Sequence, residues 1–292
     1  MFSNYDAMHI IEEFNLRVKA KASKSLKILF LLMLVLFIFI LTIVFLSDWL
    51  SNEGVMFIMF FFGGISFITL IILIIINRHL ASNKITYSYL YPEIIKKINQ
   101  DYSLNLTYQG KSRISNDFVK QGSIFTSNKQ VQIFRSTSGI SENNNSFTIY
   151  DCRLITGGGQ YQQVHHDGLY FCIKLPINDF LQIRSKGKPI SKEYSFERYD
   201  GNTEERLYIK PDKNFTNLHH LYLKIYQELK IRLNAKRIYL SIIDNNLHFA
   251  YVSKFKMRTQ KNLDKDKLNK LYQDFISEIK LVDELVSVAD YQ

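Results

Sequence analysis

Several features that mark common protein classes are scarce or missing in this sequence of 292 residues. Two cysteines are too few for a disulfide scaffold. The sequence contains no G-x-x-x-x-G-K-[ST] or G-x-G-x-x-G phosphate loop, no G-x-S-x-G, no H-E-x-x-H and no EF-hand loop. The common signatures of nucleotide-binding proteins, serine hydrolases, zinc proteases and calcium sensors are therefore absent.

Charge is missing from two long stretches near the N-terminus. Residues 28–46 and 55–76 contain no charged side chain. As helices with a rise of about 1.5 Å per residue they would measure about 28 and 33 Å, which matches a hydrocarbon layer of about 30 Å. They predict an N-terminal transmembrane helical hairpin. Because there are only two such stretches, a multi-pass channel or transporter core is excluded.

Basic residues are also missing from the short loop 47–54 between these stretches. The residues around the stretches are basic: Arg17, Lys19, Lys21, Lys24 and Lys27 precede the first, and Arg78 and Lys84 follow the second. By the positive-inside rule, the loop faces out and both termini are cytoplasmic. We therefore expect a two-pass protein of the cell membrane. Residues 1–27 are expected to form a cytoplasmic amphipathic lead-in helix that runs into the first stretch. Ser3 and Asp6 have the spacing of a helix start, and an apolar stripe follows at Met8, Ile11, Phe14 and Val18.

Residues 77–292 are expected to form a cytoplasmic α+β domain with a largely antiparallel sheet and packed helices, because hairpin patterns dominate over βαβ units. The whole net charge of +10 lies in this region. Three helices are predicted. They cover about residues 87–99, the stretch that follows Pro211 and Asp212 up to about Leu233, and about residues 263–288. A hairpin is predicted at 237–253 around Asp244, and a turn at Asp167-Gly168. The polar stretch 136–146 is expected to be a surface loop.

Candidate chemical residues are few, and each favours a structural role. Adjacent ligands point apart on a strand or helix, so the pairs His165-His166 (with Asp167) and His219-His220 are expected to be ordinary surface histidines rather than metal ligands. Cys152 and Cys172 are expected to be reduced core residues, although His165 or His166 is a conceivable base for a cysteine nucleophile. Gly157–Gly159 precedes a predicted strand and favours a turn over an anion site. We predict no catalytic, cofactor-binding or metal residues and no cofactor.

The order of several short motifs resembles a known family. These are Tyr87–Ile95, Leu106–Tyr108, Ile114–Phe118 with Ser123–Phe125, Asp167–Phe171 and Ile238–Val252. Together with the two apolar stretches, they resemble the bacterial two-span membrane proteins that carry the domain of unknown function 3137. The resemblance covers nearly the whole chain and implies two spans followed by a cytoplasmic domain. It implies no activity and no catalytic residues.

Two functions remain open at this point. The first is a non-enzymatic, membrane-anchored cytoplasmic module that binds a partner protein or the anionic headgroups of the inner leaflet. The basic residues that flank the spans, and the basic run Lys254, Lys256 and Arg258, are its candidate contacts. The alternative is a membrane-bound enzyme whose site is assembled from residues distant in sequence. Nucleic-acid binding is not expected, because no RNP, KH or helix-turn-helix pattern accompanies the positive charge.

Overall fold

The structure of the protein is a computed structural model that describes residues 2–46, 52–110, 117–122, 124–125, 130–157, 162–176, 179–184, 197–199, 205–209, 216–235, 237–252 and 263–288. They divide into two compact units. The helical unit comprises residues 2–90 and 258–268, and the sheet unit comprises residues 91–257 and 269–292.

The helical unit contains two long helices, α1 at Asn4–Leu46 and α2 at Asn52–Ile85, followed by a π-helical turn at Thr86–Leu90. Ser3 caps α1, because its Oγ accepts a hydrogen bond from the Asp6 backbone N–H at 3.1 Å. The predicted helix start is therefore confirmed. The helix continues without interruption through the first charge-free stretch to Leu46, as expected of a lead-in helix that runs into that stretch.

The expected transmembrane hairpin is not found in the part of the chain that the structure describes. None of the helices there combines the length and the apolar character that crossing a bilayer requires. The lead-in segment and the first charge-free stretch share the single helix α1, which carries charged side chains as far as Lys27. Most of the loop 47–54, and most side chains of residues 28–46 and 55–70, lie outside the described residues.

The sheet unit is a mixed α+β fold, as predicted. Its nine described strands form one sheet in the order β1-β2-β3-β4-β9-β8-β5-β7-β6, and every neighbouring pair is antiparallel. The strands are β1 Thr107–Gly110, β2 Gln130–Ile140, β3 Ser146–Thr156, β4 Gln163–Lys174, β5 Leu181–Arg184, β6 Glu197–Tyr199, β7 Arg206–Ile209, β8 Ile238–Ile243 and β9 Asn246–Tyr251. The helices are α3 Tyr91–Tyr102, α4 Asp117–Gln121, α5 Asn217–Arg232 and α6 Lys265–Ser287, whose first turn belongs to the helical unit.

The predicted turn at Asp167-Gly168 and the predicted loop 136–146 are wrong, because most of these residues pair with a neighbouring strand. Asp167-Gly168 lies inside β4, where the two residues pair with Arg153 and Cys152 of β3. The expected loop 136–146 is mostly strand, because β2 runs to Ile140 and only a short turn separates it from β3. Long-range pairing with a neighbouring strand therefore outweighs the local turn preference of Asp-Gly.

The late hairpin and the last helix are confirmed. Asp244 and Asn245 join β8 to β9 with positive φ angles of 50° and 63°, a conformation that Asp and Asn tolerate. The apolar stripe of α6 is buried as predicted, and it includes Leu268, Phe275 and Val282. Strand β5 was not predicted from the sequence, although all four of its residues are buried.

A β-bulge in β2 decides which face of the sheet each following side chain occupies. Ile133 pairs with Cys152, whereas Arg135 pairs with Asp151, so that Phe134 is an additional residue in the strand. Ile133 and Cys152 share a buried cluster with Phe118 of α4. The extra residue moves Arg135 to the opposite face, where it contacts α3 and α6.

Candidate functional site

A groove of about 920 Å³ runs along α1 within the helical unit. It lies between two neighbouring rows of side chains, each with a spacing of four residues, which places the members of a row on one face of the helix. We call Phe14, Val18, Ala22, Leu26 and Phe30 the apolar row, and Asn15, Lys19, Ser23 and Lys27 the polar row. Arg78 of α2 and Leu263 complete the lining.

A hydrogen bond fixes the two helices beside the groove. The Asn77 side-chain amide donates to the backbone carbonyl of Ala22 at 2.8 Å. This bond holds the two helices together at the middle of the apolar row. It also brings the next residue, Arg78, to the groove. Because Ala22 has the smallest side chain in its row, it leaves space between Val18 and Leu26.

The electrostatics of the groove are one-sided. Among the described residues, its lining includes Lys19, Lys27 and Arg78 but no carboxylate. These three side chains are exposed. Arg17 is different, because its guanidinium lies 4.4 Å from the Tyr89 ring centre and its Nε is 2.6 Å from Glu13 Oε1. The groove therefore presents three cations to an anion, while Arg17 is held by its own neighbours.

Apolar side chains continue from the groove onto an exposed surface. Phe30, at the end of the apolar row, is 59 % exposed, and Leu31 is 62 % exposed. The same is true further along α1 and on α2, where Leu34, Phe37, Ile38, Ile68, Ile72 and Ile75 are exposed. Monomeric soluble proteins rarely expose so many large apolar residues together.

The sheet unit contains an ion pair between Arg135 and Glu278, but this pair is buried and is not accessible to a ligand. Arg135 is 1 % exposed, and its Nη2 donates to Glu278 Oε1 at 2.6 Å. Its guanidinium lies 4.2 Å from the Phe275 ring centre and 5.6 Å from that of Tyr91. Burial raises the pKa of Glu278, and the nearby Arg135 opposes this shift. The pair joins β2, α3 and α6 and is structural.

His165, His166 and Asp167 are adjacent in sequence, but each side chain contacts a different partner. A bulge in β4 makes His165 the additional residue, and its Nε2 lies 2.7 Å from Thr156 Oγ1. His166 is buried beside the Phe125 ring, at a centroid distance of 5.2 Å. Asp167 accepts a hydrogen bond from Arg153 at 3.1 Å. The expectation that His166 is a surface histidine is wrong, because the bulge changes the alternation.

The adjacent residues His219 and His220 also have different surroundings. His219 is buried at the start of α5, where its Nδ1 accepts the Thr216 backbone N–H at 3.1 Å and its Nε2 lies 2.9 Å from Asp179 Oδ2. His219 therefore caps the helix and is not a surface residue, whereas His220 is exposed. Within the described ranges, no group of three or more His, Cys, Asp or Glu residues is placed to hold a metal ion.

The two cysteines have different neighbours from those expected. Cys152 pairs with Gly168, whereas Cys172 faces His248 across the β4–β9 pair. Burial raises the pKa of Cys172 to about 11 and lowers the pKa of His248 to about 4. Tyr170 donates its hydroxyl to the Phe118 carbonyl at 3.2 Å and lies 3.1 Å from His248 Nδ1. A protonated thiol beside a neutral, buried imidazole is the reverse of an activated nucleophile–base pair.

The sequence indicated the basic residues near the groove. It did not indicate that Lys19, Lys27 and Arg78 line one groove together with the apolar row. The spacing of the apolar row was visible in the sequence, yet the contribution of Arg78 depends on how α2 packs against α1. The basic run 254–258 and most of Gly157–Gly159 lie outside the described residues. No family model, curated protein or solved structure matches the chain, and the resemblance stated above stays a prediction.

Proposed function

We propose that this protein is a non-enzymatic, membrane-anchored cytoplasmic module whose helical unit docks on the anionic inner leaflet. In this proposal the two membrane-crossing segments are the charge-free residues 28–46 and 55–76, most of whose side chains lie outside the described residues, and both termini are cytoplasmic. The absence of charge from these segments supports the anchor, and the basic residues on both flanks support the orientation. The family resemblance is consistent with this arrangement.

The observation that carries the proposal is the groove itself. Lys19, Lys27 and Arg78 lie beside an apolar row that leads onto exposed apolar side chains. An interface between lipid headgroups and acyl chains has the complementary pattern, with negative charge next to hydrocarbon. Each Lys or Arg near an anionic surface contributes about 1 kcal/mol of attraction, so the three cations supply about 3 kcal/mol. A chain that is already anchored needs no more than this to stay docked.

A measurement of the polarity next to the groove, with the protein in a bilayer, tests the docking. The label is placed beside the groove, at Ala20, which is exposed and outside the groove lining. In the full chain with Ala20→Cys labelled by a polarity-sensitive fluorophore, we expect a blue shift in anionic proteoliposomes but not in neutral ones. High salt should reverse the shift, because exposed charges are screened over about 8–10 Å. Gln227→Cys on the exposed side of α5 is the control and should not respond. Equal emission of the Ala20 label in both bilayers would contradict docking.

The anchor and its orientation need a separate test. A cysteine at Ser51, in the loop between the proposed spans, should react with a membrane-impermeant maleimide in intact cells. A cysteine at Ser253 should react only after lysis. The unmodified chain measures the background from Cys152 and Cys172. The opposite pattern would place the termini outside, and complete extraction of the protein by alkaline carbonate would contradict the anchor.

A further inference from the structure

We infer that the groove along α1 binds one molecule of an anionic phospholipid, with the phosphate on the polar row and an acyl chain along the apolar row. This inference rests on the proposed docking and deepens it. Docking alone needs only a diffuse basic surface, whereas the geometry of the groove points to a single ligand. Three features carry the inference: the placement of the cations, the shape of the apolar row and the size of the groove.

The cations are placed to converge on one phosphate. Lys19 and Lys27 are eight residues apart on α1, which is about 12 Å along the helix axis. Ser23 lies midway between them on the same row, so each lysine side chain bridges about half of that distance. The Ser23 hydroxyl supplies a hydrogen-bond donor at the midpoint, and Arg78 adds a guanidinium that suits the paired oxygens of a phosphate.

The apolar row is placed to hold a chain rather than a small anion. Phe14 is buried at one end of the row. The accessible part runs from Val18 to Phe30, which lie about 18 Å apart along the helix. The Ala22 gap lies beside Ser23, so the proposed phosphate and the start of an acyl chain meet at the centre of the groove. From there, Leu26 and Phe30 lead to the exposed apolar surface of α1. A lipid in the groove would therefore stay continuous with the bilayer.

The size of the groove also selects a lipid. Its volume of about 920 Å³ lies at the upper end of the usual range for small-molecule sites, roughly 300–1,000 Å³. Inorganic phosphate, with five heavy atoms, would fill only a small part of it and would leave the apolar row uncovered. A headgroup with part of an acyl chain covers both rows. The absence of a carboxylate from the described lining matches a ligand of negative charge.

Counting the lipids bound to the intact protein tests the inference. The full chain in a mild non-ionic detergent is titrated with phosphatidylglycerol, phosphatidylcholine or inorganic phosphate, and non-denaturing mass spectrometry counts the bound molecules. We expect one tightly bound phosphatidylglycerol, at least about tenfold preferred over phosphatidylcholine. Inorganic phosphate should not displace it. Displacement by millimolar phosphate would assign the groove to the free ion and overturn the lipid assignment.

Matched variants separate the groove from general positive charge. Lys19→Ala with Lys27→Ala should weaken phosphatidylglycerol binding about 25-fold, because each cation accounts for about fivefold. Lys21→Ala with Lys24→Ala removes the same charge from the same helix but from outside the groove lining, and should change binding less than about threefold. Equal losses in both double variants would disprove the single site and leave diffuse docking intact. No preference for the anionic lipid in any variant would disprove both.

A variant without any charge change tests the apolar half of the site. Ala22→Leu fills the gap in the apolar row and should reduce phosphatidylglycerol binding at least about fivefold while Lys19, Lys27 and Arg78 remain. Circular dichroism should show unchanged helix content, since leucine is a good helix former. Undiminished lipid binding by a folded Ala22→Leu chain would show that no acyl chain occupies the row and would overturn the inference.

Discussion

The helical unit and the sheet unit use positively charged side chains in opposite ways. In the helical unit, Lys19, Lys27 and Arg78 line an open groove and are exposed. In the sheet unit, Arg135 is buried, paired with Glu278 and stacked on aromatic rings. Exposed cations contribute little to folding but are available to a ligand, whereas a buried pair is committed to the fold. The same residue types therefore indicate function in one unit and architecture in the other.

The largest expected effect breaks the buried pair. Arg135→Ala should lower the free energy of unfolding of the sheet unit by about 3–5 kcal/mol, because it leaves the Glu278 carboxylate buried without its partner. Replacing both residues, with Arg135→Met and Glu278→Leu, should recover much of this loss. Urea unfolding of the full chain, followed by far-UV circular dichroism, measures both changes. A loss below about 1 kcal/mol for Arg135→Ala would show that the pair is dispensable.

Lowering the pH should destabilise the sheet unit through His248. Its folded pKa of about 4 lies below the ordinary value of 6.5, so the unfolded chain binds the proton first as the pH falls. The contribution of His248 to the free energy of unfolding is complete above about pH 6.5. It is lost progressively down to about pH 4, by about 3 kcal/mol in total. Urea midpoints between pH 7 and pH 4 measure this slope. His248→Gln should flatten it, and an unchanged slope in that variant would assign the acid sensitivity to other groups.

Two glycines offer a matched comparison of the units. A Cβ added at Gly122 of the sheet unit would lie 2.1 Å from the Tyr170 hydroxyl and 2.7 Å from His248 Cγ. Gly122→Ala should therefore cost about 1–3 kcal/mol of folding free energy. At Gly64 in α2, no described atom lies within 4 Å of the added Cβ, so Gly64→Ala should be neutral or stabilising by up to about 1 kcal/mol. Thermal unfolding of both variants checks the contrast. Similar losses at both positions would contradict it.

The smallest expected effect concerns the cations of the groove. Lys19→Ala and Lys27→Ala should each change the free energy of unfolding by less than about 0.5 kcal/mol, because both side chains are exposed. The same urea experiment that detects Arg135→Ala would detect a larger change. A loss above 1 kcal/mol at either lysine would mean that the groove cations hold the helical unit together and would weaken their assignment to a ligand.

Much of the fold followed from local sequence patterns. The capped start of α1 at Ser3, the Asp244 turn and the apolar stripe of α6 were all predictable, because each depends on residues close together in the chain. The turn at Asp167-Gly168 was predicted wrongly, because pairing along β3 determines that segment. Strand β5 was missed although Leu181, Gln182, Ile183 and Arg184 alternate between apolar and polar residues, because a run of four residues is a weak strand signal. The burial of Gln182 and Arg184 depends on the surrounding structure.

The sequence by itself determined the composition of the candidate site. It set the charge-free segments 28–46 and 55–76, the lysines that precede them and the four-residue spacing of the apolar and polar rows, because these are properties of one continuous stretch of chain. Only the tertiary structure decided which cations share a groove and which are buried. Arg78 reaches the groove through the packing of α2 on α1, and Arg135 turns inward because a single bulge changes the alternation of β2. Both outcomes depend on contacts between residues far apart in sequence, which local patterns do not contain.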